Sequence, residues 1–137
     1  MFLITDTKRM IYDINRSSFW FGLWGAALNI PQVIGGLVFL PRLEAALILI
    51  TCAVPVVIAA QTHKRAPFTY LTSWVHLPWV PLLPYLVASV REEGLSTVFG
   101  VWLAYCATVI AISLALDARN IVLVYFTDNS KFEGADK

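Results

Sequence analysis

His76 is the one histidine inside a long apolar stretch of this sequence, and its imidazole is the side chain best suited to chemistry there. Thr72, Ser73 and Trp79 lie about one helical turn away, so a helix would place them beside it. Such an imidazole can hydrogen-bond to a neighbouring helix, move a proton or substrate, or ligate a haem or chlorophyll-type pigment. A bis-histidine haem would need a second histidine at the same depth, and His63 lies outside the apolar stretches. We expect a buried, hydrogen-bonded structural histidine, with His76 and Trp79 as the contacts if a ligand binds; no cofactor or metal is predicted.

Two amides lie along one face of the first apolar stretch. The stripe that contains them, at spacings of three, four, three and four, comprises Gly22, Gly25, Asn29, Gln32 and Gly36. These spacings place all five on one side of a helix. Small residues let helix backbones approach closely, and amides hydrogen-bond across helices in lipid. The stripe therefore predicts a packing seam, and the alternative is that Asn29 and Gln32 line a substrate or ion path.

Three prolines interrupt the third apolar stretch: Pro78, Pro81 and Pro84. Each proline lacks an N–H and frees the carbonyl four residues earlier. A freed carbonyl at membrane depth must find another donor. We therefore predict that this helix is irregular around residues 78–84, and that one of the two amides of the first stretch donates to the carbonyl of Leu77 or Val80. The alternative is that the prolines open a cavity or bend the helix around a lipid.

The last apolar stretch carries a second stripe of small residues, at spacings of four, three, four and four: Gly100, Ala104, Ala107, Ala111 and Ala115. Regular small residues on one helix face favour a close helix–helix contact. Two such stripes exceed what a small isolated bundle requires. We expect one of them to face another protein.

The sequence shows no grouping of residues typical of an enzyme. There is no Ser/His/Asp set, no metal-ligand cluster and no glycine-rich phosphate loop, and Cys52 and Cys106 both lie in apolar stretches with no CxxC motif. No acidic residue lies within an apolar stretch, which counts against proton-coupled transport through a membrane carboxylate. An enzyme is not predicted.

The elements that must position these residues are four charge-free apolar stretches, at residues 19–40, 45–60, 66–90 and 95–116. A helix needs roughly 20 apolar residues to cross a bilayer. Hydrophobic residues make up 58% of the chain, against roughly 45–50% in soluble domains. We predict an all-α integral membrane protein: one four-transmembrane-helix bundle over residues 1–126, beginning with a short interfacial segment, and a polar tail at 127–137. Residues 121–126 are read equally as a continued helix, a surface helix or a docked strand.

The positive charges are distributed unevenly between the two sides of this predicted bundle. Eight of the ten Lys and Arg residues lie before the first stretch, between the second and third, or after the fourth. Arg42 and Arg91 alone lie in the other two loops. The positive-inside rule then places both termini in the cytoplasm (N-in, C-in), and we expect a bacterial inner membrane.

The expected function follows from what such a bundle offers. The loops are too short to form a binding domain, whereas helix faces and terminal arms suit docking. We expect a non-catalytic accessory, assembly or anchoring subunit of a larger membrane complex, with other membrane subunits and lipids as partners and no nucleic acid. The alternatives are a small homo-oligomeric transporter or channel, or a membrane subunit that binds one haem or pigment through His76.

Overall fold

The structure is a computed structural model that describes residues 2–65 and 70–127, and over those residues it is entirely helical. Five α-helices and one 3₁₀ helix follow one another: α1 (Phe2–Ser17), α2 (Phe19–Val38), α3 (Leu43–Arg65), the 3₁₀ helix (Tyr70–His76), α4 (Trp79–Glu93) and α5 (Val98–Thr127). The all-helical prediction is confirmed. Of the predicted polar tail at 127–137, only Thr127 lies within the described residues.

Two antiparallel hairpins build the body of the protein. The first pairs α2 with α3 and the second pairs α4 with α5, while α2 also packs on α5 and α3 on α4. The core between them is apolar and includes Ile48, Trp79, Leu86, Leu103 and Ile110, each at most 1% exposed. Because these residues recur at helical spacing, each helix presents one face to this core.

The third apolar stretch is not one helix. Its first part is the 3₁₀ helix, residues 77–78 form a turn, and α4 begins at Trp79 with Pro78 as its N-cap residue. Pro81 lies in the first turn of α4, where no intrahelical N–H is lost, whereas Pro84 lies further inside the helix and removes the N–H that would bond to the carbonyl of Val80. The predicted irregularity therefore exists, but it lies at residues 70–78 and ends where the sequence prediction placed its beginning.

The long helix α5 continues through residues 121–126 to Thr127. Of the three readings for that segment, the continued helix is the one observed. Asp117 and Asn120 consequently lie within the helix instead of after it, which changes the chemistry available in the bundle.

Two helices are long and apolar enough to cross a membrane, over Leu43–Lys64 and Val98–Leu123. A shorter apolar helical stretch covers Gly22–Val38. Most side chains of the two long helices are not buried by the rest of the chain, which weakly suggests a membrane protein. The count of four crossings and the orientation of the termini stay predictions.

Ion pairs lie at both ends of the bundle, Arg42–Glu93 at one end and Lys64–Asp6 at the other. At one end Arg42 contacts the Glu93 carboxylate at 2.6 Å and lies 4.3 Å from the ring centre of Phe99. Glu93 also accepts a hydrogen bond from Thr97, which caps α5 by accepting the N–H of Gly100 at 2.9 Å. At the other end α1 packs across α2 and α3.

Candidate functional site

The His76 imidazole is hydrogen-bonded to a carboxylate of α5. Its Nδ1 lies 2.8 Å from Oδ2 of Asp117, and the two side chains are 22% and 13% exposed. The expected hydrogen bond is therefore present, but its partner is an acid within the apolar stretch Val98–Leu123. The prediction that no membrane-spanning stretch contains an acidic residue is wrong for this stretch, because the helix continues past residue 116.

A second contact joins the same two elements one turn away. Asn120 donates from Nδ2 to Oγ of Ser73 at 3.4 Å. Ser73 and His76 are three residues apart, so their side chains align on a 3₁₀ helix, and Asp117 and Asn120 are neighbours on one face of α5. The 3₁₀ helix is thus fastened to α5 by two polar contacts.

Trp79 completes this group, which we call the His76 cluster: Ser73, His76, Trp79, Asp117 and Asn120. The indole and imidazole rings stack with centroids 4.3 Å apart and planes 14° apart. Trp79 is 1% exposed and donates from Nε1 to the carbonyl of Thr51 on α3 at 2.9 Å. One tryptophan therefore fixes the face of the imidazole and connects α4 to α3.

The geometry of the His76 cluster determines which atom remains for chemistry. An ionised carboxylate can only accept hydrogen bonds, so Nδ1 of His76 is the donor in this pair when Asp117 is ionised. The other ring nitrogen, Nε2, is not part of this contact. The same arrangement orients histidines that ligate metals, whose second nitrogen donates to a carboxylate. Among residues 2–65 and 70–127, no three His, Cys, Asp or Glu side chains converge as metal ligands do.

Asn29 does not make the predicted bond to the third stretch. Its Nδ2 donates to the carbonyl of Gly25 in its own helix at 2.8 Å, and its Oδ1 accepts from the thiol of Cys52 on α3 at 3.1 Å. The carbonyl of Leu77 accepts the N–H of Val80 at 3.1 Å. The prediction fails because α2 faces α1, α3 and α5, and because a 3₁₀-type turn supplies the donor locally.

Gln32, one turn further along α2, is fully buried. Neither Nε2 nor Oε1 of its amide has a hydrogen-bond partner among the described residues. An unsatisfied buried amide is costly and rare in folded proteins. The buried amide of Gln32 therefore lowers the stability of the fold, and it does not form the predicted bond to the third apolar stretch.

Two other prolines, Pro31 and Pro55, free carbonyls that accept hydrogen bonds from side chains of other helices. Pro31 frees the carbonyl of Ala27, which accepts the hydroxyl of Tyr105. Pro55 frees the carbonyl of Thr51, which accepts the indole N–H of Trp79. Aromatic side chains from α4 and α5 therefore supply donors for the carbonyls that the interior prolines of α2 and α3 leave unpaired.

The remaining predicted residues fall into two groups. Gly100 is buried against the backbone carbonyl of Gly94, and Ala107 is buried in the core, so both serve contacts within the chain. Ala104 is half-buried, and nothing lies within 4 Å of the position a Cβ would take at Gly25. The stripe predicted on the last helix thus divides between the core and the exposed side.

A second charged group lies where α1 crosses the end of α3. Asp6 accepts from Nε2 of Gln61 at 3.1 Å and from Nζ of Lys64 at 3.2 Å. These two hydrogen bonds lower the pKa of Asp6 below its ordinary value, with a smaller contribution from the charge of Arg9. Nε2 of His63 lies 3.2 Å from Asp13, so this second histidine is committed to α1.

Asp117 and Asn120 are the members of the His76 cluster that sequence reasoning missed. The signal was available: an acid and an amide three residues apart, followed by the apolar residues 121–126, are typical of a continuing helix with one polar spot. Because Asp117 and Arg119 are charged, the predicted apolar stretch ends at residue 116, and the continuation of the helix was not predicted.

Comparisons with protein-family models, with curated proteins and with solved structures give no match to this chain.

Proposed function

We propose that this protein is a non-catalytic accessory or anchoring subunit of a larger membrane protein complex. Membrane insertion is supported by the long apolar helices α3 and α5 and by the large apolar side chains they expose, such as Ile50, Ile58 and Ile112. A monomeric soluble protein rarely exposes a contiguous apolar surface of this kind. In the proposed arrangement α2 and α4, with the 3₁₀ helix, supply the other two crossings.

The orientation follows from the charges at the two ends of the bundle. Both hairpins bring α1, the end of α3 and the end of α5 to the same side, where most Lys and Arg residues lie. We propose that this side is cytoplasmic and that the membrane is a bacterial inner membrane.

Labelling from outside the cell tests this topology. We expect Ser96→Cys, in the turn between α4 and α5, to react with a membrane-impermeant maleimide in intact cells. Lys8→Cys, which is also exposed but lies on α1, should react only after the cells are broken. Cys52 and Cys106 are buried and supply a low background. The opposite labelling pattern would reverse the orientation, and equal labelling of both would contradict the membrane placement.

The observation that carries the accessory role is an exposed face of small residues on α5. At spacings of four, three, four and three, this small-residue face comprises Ala104, Thr108, Ala111, Ala115 and Ala118. Ala104 is half-buried and the other four are exposed. The Thr108 hydroxyl donates to the carbonyl of Ala104 at 2.8 Å, so it bonds to its own helix. The face is therefore smooth and narrow, as close helix packing in lipid requires.

Enlarging this face should separate the protein from its partner. We expect Ala111→Leu combined with Ala115→Leu to reduce the native mass in mild detergent from that of a complex with a different subunit to that of the single chain. Ile112→Leu is the matched control, since it lies on the same exposed turn and keeps its volume. A wild-type protein that is monomeric in mild detergent, or a complex that the double variant leaves intact, would contradict the accessory role. A homo-oligomer would favour the alternative function instead.

A second candidate, a small proton-linked transporter, is favoured by the His76 cluster. A histidine and an acid that meet inside an apolar helix bundle are costly, and such pairs commonly mark proton or ion pathways in membrane proteins. The absence of an acid in the apolar stretches no longer counts against this function, because Asp117 lies within one of them. His76→Phe and Asp117→Asn test this function, because each should abolish a flux driven by a pH gradient.

A further inference from the structure

A pocket of about 80 Å³ lies between α1 and the last turns of α3. Its lining comes from both helices and carries charges of both signs: Asp6, Arg9, Asp13, Ala60, His63 and Lys64. On α1 the charged residues are spaced by three and four, so they share one side of the helix. The pocket is therefore formed by the packing of α1 against α3 and is not present on either helix alone.

The positive and negative side chains that line the pocket do not fully neutralise each other. The Asp6 side chain is 16% exposed and is held by Gln61 and Lys64, whereas the Asp13 side chain is 34% exposed beside His63. The Lys64 side chain is 57% exposed, and Arg9 is exposed on the same side of α1. The opening thus presents two cations that can bind an anion and one carboxylate that can accept hydrogen bonds from a cation.

The end of α3 adds to the cationic preference near Asp13. The C-terminal end of a helix carries a partial negative charge from its unpaired carbonyls, and α3 ends at Arg65, next to the pocket. A phosphate alone would meet this repulsion and that of two carboxylates. A ligand that carries a phosphate and a positive group a few bonds apart satisfies both halves of the pocket.

The position of α1 places this pocket at the level of lipid headgroups. The apolar residues Leu3, Ile4 and Ile11 are exposed on a side of α1 that differs from the side of Asp6 and Arg9. A helix with an exposed apolar strip and a charged side lies in the membrane interface with the strip in the acyl region. The charged pocket then opens at the depth of the phosphates.

We propose that this pocket binds the headgroup of a phospholipid with a primary ammonium, such as phosphatidylethanolamine. Arg9 and Lys64 hold the phosphate, and Asp13 accepts hydrogen bonds from the primary ammonium. A quaternary ammonium has no N–H and cannot donate them. The pocket thereby anchors α1 to one class of lipid. This inference rests on the membrane placement in the proposed function.

Lipid retention by the full-length protein tests the inference. The protein is purified in mild detergent and exchanged with phosphatidylethanolamine, phosphatidylcholine or phosphatidylglycerol of identical acyl chains, and the bound lipid is counted by native mass spectrometry. We expect phosphatidylethanolamine to be retained at least about tenfold better than phosphatidylcholine, the scale of one charge-assisted hydrogen bond. Asp13→Asn should abolish that preference, and Arg9→Gln should weaken the retention of all three lipids. Glu92→Gln, exposed at the other end of the bundle, should change nothing.

The outcomes separate this inference from the proposed function. Water-soluble phosphoethanolamine should compete only at a large excess, and competition at concentrations similar to the lipid would overturn the lipid source in favour of the free small molecule. Equal retention of the three lipids, or an unchanged preference in Asp13→Asn, would overturn the pocket inference. Reconstitution into vesicles of each lipid is the independent readout: insertion without headgroup preference leaves the membrane proposal standing, and failure to insert into any of them overturns both.

Discussion

Replacing Asp117 with alanine should lower the free energy of unfolding by about 3 kcal/mol, because a partly buried, hydrogen-bonded imidazole loses its carboxylate partner. The Asp117 and His76 side chains are 13% and 22% exposed, so water replaces little of the lost interaction. Asp117→Asn should cost less, since its amide oxygen still accepts from Nδ1. Denaturant unfolding in a fixed detergent measures both. Arg119→Ala is the matched control, because it removes an exposed charge two residues away on the same helix.

A double-mutant cycle separates the pair from the general effect of each change. His76→Phe keeps an aromatic ring against Trp79 and leaves the Asp117 carboxylate unpaired. We expect a coupling energy above about 1 kcal/mol between His76→Phe and Asp117→Leu, as for residues in one hydrogen-bonded network. A coupling energy near zero would mean that the two side chains do not stabilise each other.

The same variants decide between the two candidate functions. A proton-linked transporter reconstituted in vesicles should respond to an imposed pH gradient, and His76→Phe and Asp117→Asn should each abolish that flux. If the protein is an accessory subunit, the wild type, His76→Phe and Asp117→Asn should all show no flux. Flux that survives both substitutions would exclude the His76 cluster as the proton path.

Replacing Trp79 with alanine should destabilise the protein by about 4 kcal/mol, on the scale of emptying a buried tryptophan site. The indole is 1% exposed, stacks on His76 and supplies the donor for the Thr51 carbonyl. Trp79→Phe retains much of the volume but leaves that carbonyl unpaired, so about 1–3 kcal/mol of the loss should remain. Thermal unfolding in detergent resolves the two steps. Trp74→Ala is the control, since that tryptophan is 46% exposed.

The Trp79 series has a clear contrary result. Equal stability of Trp79→Phe and the wild type would show that the Thr51 carbonyl does not need the indole donor. A loss in Trp74→Ala as large as that in Trp79→Ala would show that burial in the core is not the cause.

The helices were predictable from the sequence because apolar length and charge-free composition report them directly. Residues 19–40 and 45–60 correspond to α2 and α3 to within a few residues. The break in the third stretch was predictable in kind, since prolines there leave carbonyls unpaired. Its position was not, because the 3₁₀ helix forms ahead of Pro78 and its local i→i+3 bonds satisfy the carbonyls of Trp74 and Leu77.

The contacts between helices were much less predictable than the helices. Asn29 was a reasonable donor for a freed carbonyl, but its partner depends on which helix lies beside α2, and no local pattern specifies that. The Thr51 carbonyl is satisfied by Trp79 from α4 and the Ala27 carbonyl by Tyr105 from α5. Asp117 was missed because the apolar stretch was ended at the first charge, whereas packing against the 3₁₀ helix allows α5 to carry that charge further.

The short length of α4 has a consequence for the membrane around it. Its 15 residues cover only about 22 Å at 1.5 Å per residue, whereas the hydrocarbon layer is about 30 Å thick. The 3₁₀ helix before it rises about 2.0 Å per residue, so its seven residues extend the crossing further than one α-helical segment of equal length would. In the proposed arrangement α4 and the 3₁₀ helix together are therefore long enough to cross the bilayer, although α4 alone is not. An α-helical segment in place of the 3₁₀ helix would shorten this crossing by about 3.5 Å, so the 3₁₀ conformation should favour a bilayer of ordinary thickness over a thinner one.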